Sequence, residues 1–352
     1  MAILYGLLNR QDLAAERVTT QGVETIDRDI AISVAEHNRQ LDTLMSLFVT
    51  RTQKFKGRFL TSANASLQPL DEAGRAFPIK PSGYYDLAWP IQMAGAAWGY
   101  DFVTGEKITV GEVARVTNTM LDADTRWIRQ HILAALFYKS TTNPWTFADP
   151  DNGSLSIYGL ANGDTVTYNI QSGTEAGTTD DHLLFDASID AATFTAIYDE
   201  LMEHPENGGE VIVLIPTNQK ATVQAISTFY PIEDPDLRIG AASTVLAGRL
   251  GTAVPGVVIG KVEKCWIVEW KSLPDDYMIA VTTEGDRPLA MREDEEASLR
   301  GFKQVATREN HPWYERQYMR RAGFGGWNRV GAMVLKVAGS YAIPTGYSSP
   351  LA

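Results

Sequence analysis

The sequence predicts an α+β protein whose subunit is incomplete alone, and three observations carry that reading. A proline-punctuated extended stretch occupies 54–101, one unusually long amphipathic helix follows it, and an apolar strand running straight into a helix opens a compact second half. The first is the most telling. KFKGRFLTSANASLQPLDEAGRAFPIKPSGYYDLAWPIQMAGAAWGYDF carries Pro69, Pro78, Pro81 and Pro90, with glycines at 57, 74, 83, 95 and 99, so no helix persists through it. Apolar and polar residues alternate at both ends, through Phe55, Phe59, Leu87, Trp89, Ile91 and Met93, which predicts the two strands of a hairpin arm with an irregular tip. An isolated two-stranded hairpin is marginal in water, so the arm must lie on a partner.

Composition sets the outer limits. The chain has 352 residues, 44% hydrophobic and 21% charged, enough for two or more packed units and too apolar for disorder. A net charge of -12 opposes binding to a polyphosphate backbone, which disfavours a sequence-reading nucleic-acid protein. The single cysteine, Cys265, lies in an apolar run, reads as core filler, excludes an intrachain disulfide and fits a reducing assembly environment. No secretory leader is expected at the N-terminus, and no stretch approaches the roughly 18 to 20 consecutive apolar residues of a membrane span.

The elements follow in order. VETIDRDIAISVAEHNRQLDTLMSLFVT places Ile26, Ile30, Val34, Leu41, Leu44 and Phe48 at helical steps, with Thr25 or Asp27 as cap. His37 shares that stripe and reads as the margin of a packed face, since no second ligand accompanies it. After the arm, Thr109 and Glu112 make a capping box. Val113, Val116, Met120, Ala123, Trp127, Ile128, Ile132, Leu136 and Phe137 then draw one stripe on the order of 40 Å long at 1.5 Å per residue. Arg115, Asp122, Asp124, Arg126 and Arg129 are expected on solvated or intersubunit faces.

SLSIYGLANGDTVTYNI alternates through Leu155 and Ile157, turns at Asn162-Gly163-Asp164, and alternates back through Val166, Tyr168 and Ile170, predicting one hairpin over 154–170. Asp149, Asp151 and Gly153 echo a calcium loop, but Leu160 stands where its bidentate Glu is required. Asp180, Asp181 and His182 are an equally thin metal signal, so no metal or cofactor is expected. A helix at Ala192 to Glu203 precedes the apolar strand Val211 to Ile215, and the Pro-Thr-Asn turn after it lacks the glycines a phosphate site needs. Thr217 or Asn218 would cap the next helix, further strands follow at VPGVVIG, CWIVEW and DYMIAVTT, and Glu293 to Glu296 reads as a solvated loop.

Near the C-terminus, Tyr314, Arg316, Tyr318 and Arg320 point one way and Glu315, Gln317, Met319 and Arg321 the other. Charge on both faces predicts a ribbon that pairs across subunits, with Arg316, Arg320, Arg321 and Arg329 as donors to a neighbour's carboxylates. Gly323, Gly325 and Gly326 read as a bulged turn before the strand VGAMVLKVAG.

This order of elements resembles the major capsid protein of tailed bacteriophages, the Hong Kong 97 type fold. The resemblance covers essentially the whole chain and rests on three pieces: YDLAWPIQMAGAAWGYDFVTGEKITVGEVARVTNTMLDADTRWIRQHILAALF, ENGGEVIVLIPTNQKATVQAI and HPWYERQYMRRAGFGGWNRVGAMVLKVAG. It implies an N-terminal arm with helix over 1–50, an extended E-loop over 51–101, and a peripheral domain with spine helix and β-hairpin over 102–205. It implies further an axial domain over 206–304, a peripheral closing strand over 305–330, and a return strand with C-terminal tail over 331–352.

The implied function is a self-assembling shell of pentamers and hexamers enclosing phage double-stranded DNA, located in the virion and assembled in the host cytoplasm. The implied partners are further copies of the chain, a portal, a scaffold and decoration proteins, with no membrane and no sequence-specific DNA contact. E-loop and closing-strand contacts would come from Phe55, Phe59, Leu87, Trp89, Arg316, Arg320, Arg321 and Arg329, with Gly57, Gly95, Gly99 and Gly323 to Gly326 as joints between pentamer and hexamer shapes. The best-known relative joins a loop lysine to a neighbour's asparagine. Here Lys54, Lys56, Lys80, Asn310 and Asn328 show no selected pair, so no cross-link is expected, nor cleavage of an N-terminal scaffolding segment.

An encapsulin-type compartment holding an enzyme cargo is the alternative within the same fold. Catalysis is not expected. Histidines 37, 131, 182, 204 and 311 fall in separate elements, and the sequence has no HExxH, nucleophile elbow or P-loop.

Overall fold

The computed structural model describes residues 3–60, 72, 75, 84–139, 145–149, 153–163, 166–176, 179–232, 255–310 and 313–349. The arm tip with Pro69, Pro78, Lys80 and Pro81 lies outside the described residues, as do Asp151, Asp164 and His311.

The first long helix runs Val23–Met45 and buries Ile26, Ile30, Val34 and Leu41. Neither expected cap is used: Gly22, at φ 87°, turns the chain in, and Asp27 is drawn away to Arg316. The helix stops before Phe48 because the β-branched run Val49–Thr52 becomes a strand parallel to Leu289–Arg292.

The second helix spans Val110–Phe137, 28 residues and about 42 Å. Its capping box forms as predicted. The Glu112 amide donates to Thr109 Oγ1 at 3.3 Å and the Thr109 amide donates to Glu112 Oε2 at 2.9 Å. The buried stripe passes through Val113, Thr117, Met120, Leu121, Asp124 and Ile128, so it is rotated off Val116 and Ala123, and it takes Asp124 inside. From His131 to Phe137 every residue is buried, because this end is enclosed between the two main sheets.

In the five-stranded sheet the closing strand, Trp313–Gly326, is interior and not a ribbon awaiting another subunit. Gln92–Asp101 pairs along one edge, Lys303–Arg308 along the other, and Leu289–Arg292 along its C-terminal end, all antiparallel. The predicted alternation is correct in phase, with Arg316, Tyr318 and Arg320 inward. Charge is tolerated there because carboxylates of the same chain meet it.

Gly323 to Gly326 continue this strand instead of turning. A Cβ on Gly323 would lie 2.5 Å from the Pro90 carbonyl oxygen, and one on Gly99 2.5 Å from that of Tyr314. These glycines admit close backbone approach, which is a different task from that of a joint.

The seven-stranded sheet has the order Phe229–Pro231, Val257–Val262, Cys265–Glu269, Asn207–Ile215, Tyr277–Gly285, Ala332–Val337 and Leu183–Asp186. Val211 to Ile215 are all buried because both faces are covered. One face meets Leu133, Leu136 and Phe137 of the long helix; the other meets Phe194, Ile197 and Leu201 of the helix Ala191–Met202. Cys265 belongs to that second core, and burial pushes its thiol pKa up to about 12. After Pro216 only short helical turns form, because Thr217 and Asn218 bond Glu269 and Asp276 in place of capping.

The single hairpin expected over 154–170 is two. Gly153–Ile157 pairs back with Trp145–Asp149, and Thr167–Ile170 pairs forward with Gly173–Ala176. The chain between them is claimed by Arg329, whose guanidinium donates to the carbonyls of Gly159 and Leu160 at 2.8 and 3.1 Å.

Candidate functional site

The arm leaves the body from a root that its own chain locks. Lys56–Leu60 and Tyr84–Ala88 pair antiparallel, and Lys56 and Arg58 both reach Asp86, at 2.7 and 2.9 Å. These hydrogen bonds hold the Asp86 carboxyl below its ordinary pKa. The Trp89 indole N–H, buried and needing an acceptor, donates to the Gly326 carbonyl at 3.1 Å. Its ring packs on Trp327 with centroids 5.3 Å apart, and Phe59 meets the same Trp327 edge-on at 5.3 Å. The Phe55 ring lies under the Arg292 guanidinium at 5.0 Å.

Leu87 and Trp89, expected at an intersubunit contact, are buried within their own chain. At 1% and 0% exposure they anchor the arm to the body that bears it. Phe55 and Phe59 are half-buried and keep an outward edge.

The arginines of the closing strand likewise turn mostly inward. Arg320 donates Nε and Nη2 to the two oxygens of Asp124, at 2.5 and 2.7 Å, and its Nη2 also reaches Asn38 Oδ1 at 2.8 Å. His37 Nε2 lies 2.8 Å from Asp124 Oδ2. Burial would raise the Asp124 pKa, but the hydrogen bonds from His37 and Arg320 prevail and hold it below the ordinary value. His37 is thus an interior partner of a carboxylate, not a marginal residue.

Arg316 lies between Asp27 and Glu309, at 2.5 and 2.6 Å. Burial opposes its charge, and those two acceptors more than restore it, raising its pKa. Arg329 donates to Tyr168 Oη at 2.6 Å besides its two carbonyls. Arg321 faces Asp294 at 3.4 Å and remains about a quarter exposed. Of the four arginines expected to bind a neighbour's carboxylates, three are buried within the chain.

What the body does present is a different set of side chains. Tyr84 and Met93, 59% and 64% exposed, stand on the arm and on the strand that follows it, with Trp313 at the start of the closing strand. Tyr230 and Val257 stand at the edge of the seven-stranded sheet, 69% and 63% exposed. Lys303–Arg308 is an exposed sheet edge from Gln304 onward. Unpaired edges beside exposed apolar groups are surfaces for another chain. Alternation in the sequence flags such residues but does not say which side of a strand the body will cover.

The four described histidines are drawn into polar contacts. His131 bridges the Trp127 carbonyl and Gln92 Oε1, each at 2.9 Å. Among the described residues, one group suited to hold a metal ion gathers: Asp180, His182 and His204. The sequence offered Asp180 and His182 as neighbours; His204 joins them only because the helix Ala191–Met202 folds back on the strand. Among the described residues no helix is long and apolar enough to cross a membrane.

A chain in the structure of Mycobacterium phage Patience superposes on this one with a TM-score of 0.68, at 20% identity, over 96% of this chain and 94% of that one. A chain of the capsid of Ralstonia phage GP4 gives 0.51, at 10% identity, over 85% and 91%. No protein-family model and no curated protein matches the sequence. The likeness fixes the fold: this is the Hong Kong 97 type, with Val110–Phe137 as its spine.

Proposed function

We propose that the chain is the major capsid protein of a tailed bacteriophage, assembling through copies of itself into pentamers and hexamers of a shell around double-stranded DNA. The observation that carries this is the superposition on a phage chain over 96% of the length. A rigidly rooted arm supports the same reading, since a hairpin fixed at its base can deliver its far end to a neighbour.

On this reading 51–101 is the loop laid over the adjacent subunit, 102–205 with 305–330 forms the capsomer edge, and 206–304 with 331–352 surrounds its centre. Contacts then fall to Phe55, Phe59, Arg321, Tyr84, Met93 and Trp313, which retain exposure. Portal, scaffold and decoration proteins are the further partners, the virion is the location, and assembly takes place in the host cytoplasm. The net charge of -12 suits a wall past which packaged DNA slides without adhering. A purely structural role, without catalysis, follows from the same reading.

The test is direct. The expressed chain, alone or with its scaffold, should sediment as capsomers and closed particles and show polyhedral outlines in negative stain. A stable monomer at micromolar concentration, with the arm folded back on its own body, overturns the proposal.

A further inference from the structure

Three buried side chains converge from two separate places in the chain. Asp180 and His182 precede the strand Leu183–Asp186, and His204 follows the helix Ala191–Met202. All three are 0% exposed. His182 Nδ1 lies 3.0 Å from the Ala332 carbonyl oxygen, and His204 Nδ1 lies 2.8 Å from that of Asn169. A carbonyl oxygen only accepts, so each Nδ1 carries the proton and each neutral ring is left with a bare lone pair on Nε2.

Those two lone pairs face each other. The Nε2 atoms are 3.2 Å apart, His182 Nε2 is 3.0 Å from Asp180 Oδ1, and His204 Nε2 is 3.8 Å from Asp180 Oδ2. Neither Asp180 oxygen receives a hydrogen bond of acceptable geometry. A buried carboxylate without a donor, beside two opposed lone pairs, is an arrangement that calls for a cation.

We propose that Asp180, His182 and His204 bind one divalent transition-metal ion of the zinc class. Ligands about 2.0–2.1 Å from a tetrahedral centre lie about 3.3 Å from one another, close to the separations of the two Nε2 atoms and of His182 Nε2 from Asp180. The backbone carbonyls of Ala332 and Asn169 do what outer partners of a metal-bound imidazole do: they fix the tautomer and aim Nε2. Glu203 Oε1 lies 3.9 Å from His204 Nε2. Two nitrogens and a carboxylate oxygen suit zinc better than calcium or magnesium, which take oxygen ligands.

The ion would reinforce three elements that hydrogen bonds already join, the strand at the sheet edge, the end of the helix and the hairpin 167–176: Thr193 Oγ1 donates to Asp186 at 2.8 Å, and the Gln171 amide donates to the Glu203 carbonyl at 2.8 Å. Its competitor is a single extra proton on His182 Nε2. That proton can reach His204 Nε2 or Asp180 Oδ1 but not both, so it leaves one acceptor unmet where an ion satisfies all three.

The test uses the full-length chain. Because the three residues are sealed, the ion enters as the chain folds, so protein is refolded once with zinc and once with chelator, then freed of unbound metal by gel filtration. About one zinc per chain should remain after zinc refolding, with a melting temperature above that of the chelator-refolded sample. Cobalt in place of zinc should give the intense visible bands of a tetrahedral site. Asp180→Asn and His204→Gln should each lower retained zinc at least tenfold; if either variant fails to fold, the wild-type comparison decides alone. Retained zinc below about a tenth of an ion per chain, with the same melting temperature in both samples, overturns the proposal in favour of the shared proton.

Discussion

Two buried polar clusters, one under the closing strand and one at the edge of the seven-stranded sheet, use nearly the same residue types and reach opposite outcomes. Asp124, Arg320 and His37 have side chains 2%, 5% and 5% exposed, and Asp180, His182 and His204 are 0% exposed. In the first, both Asp124 oxygens receive donors and Asn38 closes the network, its Oδ1 accepting from Arg320 Nη2 and from the Phe302 amide at 2.9 Å. In the second, the same carboxylate chemistry meets only the acceptor nitrogens of two imidazoles. Burial alone therefore does not separate a structural cluster from a ligand site. What separates them is whether the chain itself supplies the cation.

The largest expected effect tests the complete cluster. Asp124→Ala leaves Arg320 buried without its carboxylate and should cost about 3–5 kcal/mol in urea denaturation. Acid probes the same group with a definite sign. Because the folded Asp124 pKa lies below its unfolded value, its contribution is fully present above about pH 4 and is lost as pH falls through the folded value. The wild type should thus lose stability more steeply between pH 5 and 2, all approximate limits, than Asp124→Asn does. Parallel curves would break the comparison.

A smaller loss is expected for Arg320→Lys, about 1–3 kcal/mol, because one ammonium cannot span both Asp124 oxygens and Asn38. Thr109→Ala, at the exposed capping box of the long helix, sets the scale for an ordinary solvated polar contact at about 1 kcal/mol by thermal melting. The smallest effect is the most diagnostic. In metal-free protein Asp180→Asn should cost nothing and gain up to about 1 kcal/mol, since the new amide can donate to a bare Nε2. A loss as large as that of Asp124→Ala would mean that Asp180 is already satisfied and that the two clusters are alike.

The arm and the long helix were legible because their signals are local. Prolines and glycines forbid helix over 54–101, alternation marks Lys56–Leu60 and Tyr84–Ala88, and the capping box fixes where Val110–Phe137 begins. The site residues were less legible. Arg316 and Arg320 look like surface charge on a strand until Asp27 and Asp124, 289 and 196 positions away, are brought against them. Asp124 reads as exposed from the apolar stripe through Val116 and Ala123, which is rotated from the buried one through Thr117 and Leu121. A charged residue on a buried stripe is invisible to a count of apolar periodicity. The split of the expected hairpin over 154–170 has the same origin, since Arg329 captures the segment between its strands.

By itself the sequence determined the kind of protein: the element order, the long capped helix, the strand phase that sends Arg316, Tyr318 and Arg320 to one face, and an arm that needs support. These rest on contacts within a few residues, where periodicity, caps and turn chemistry act. Which body buries Trp89, why Gly323 must lack a side chain, and that His204 meets Asp180 and His182 all follow from how distant segments pack. Those outcomes depend on backbone approach and on charge matching between distant segments, and hydrogen-bond partners are chosen by geometry that no local pattern records.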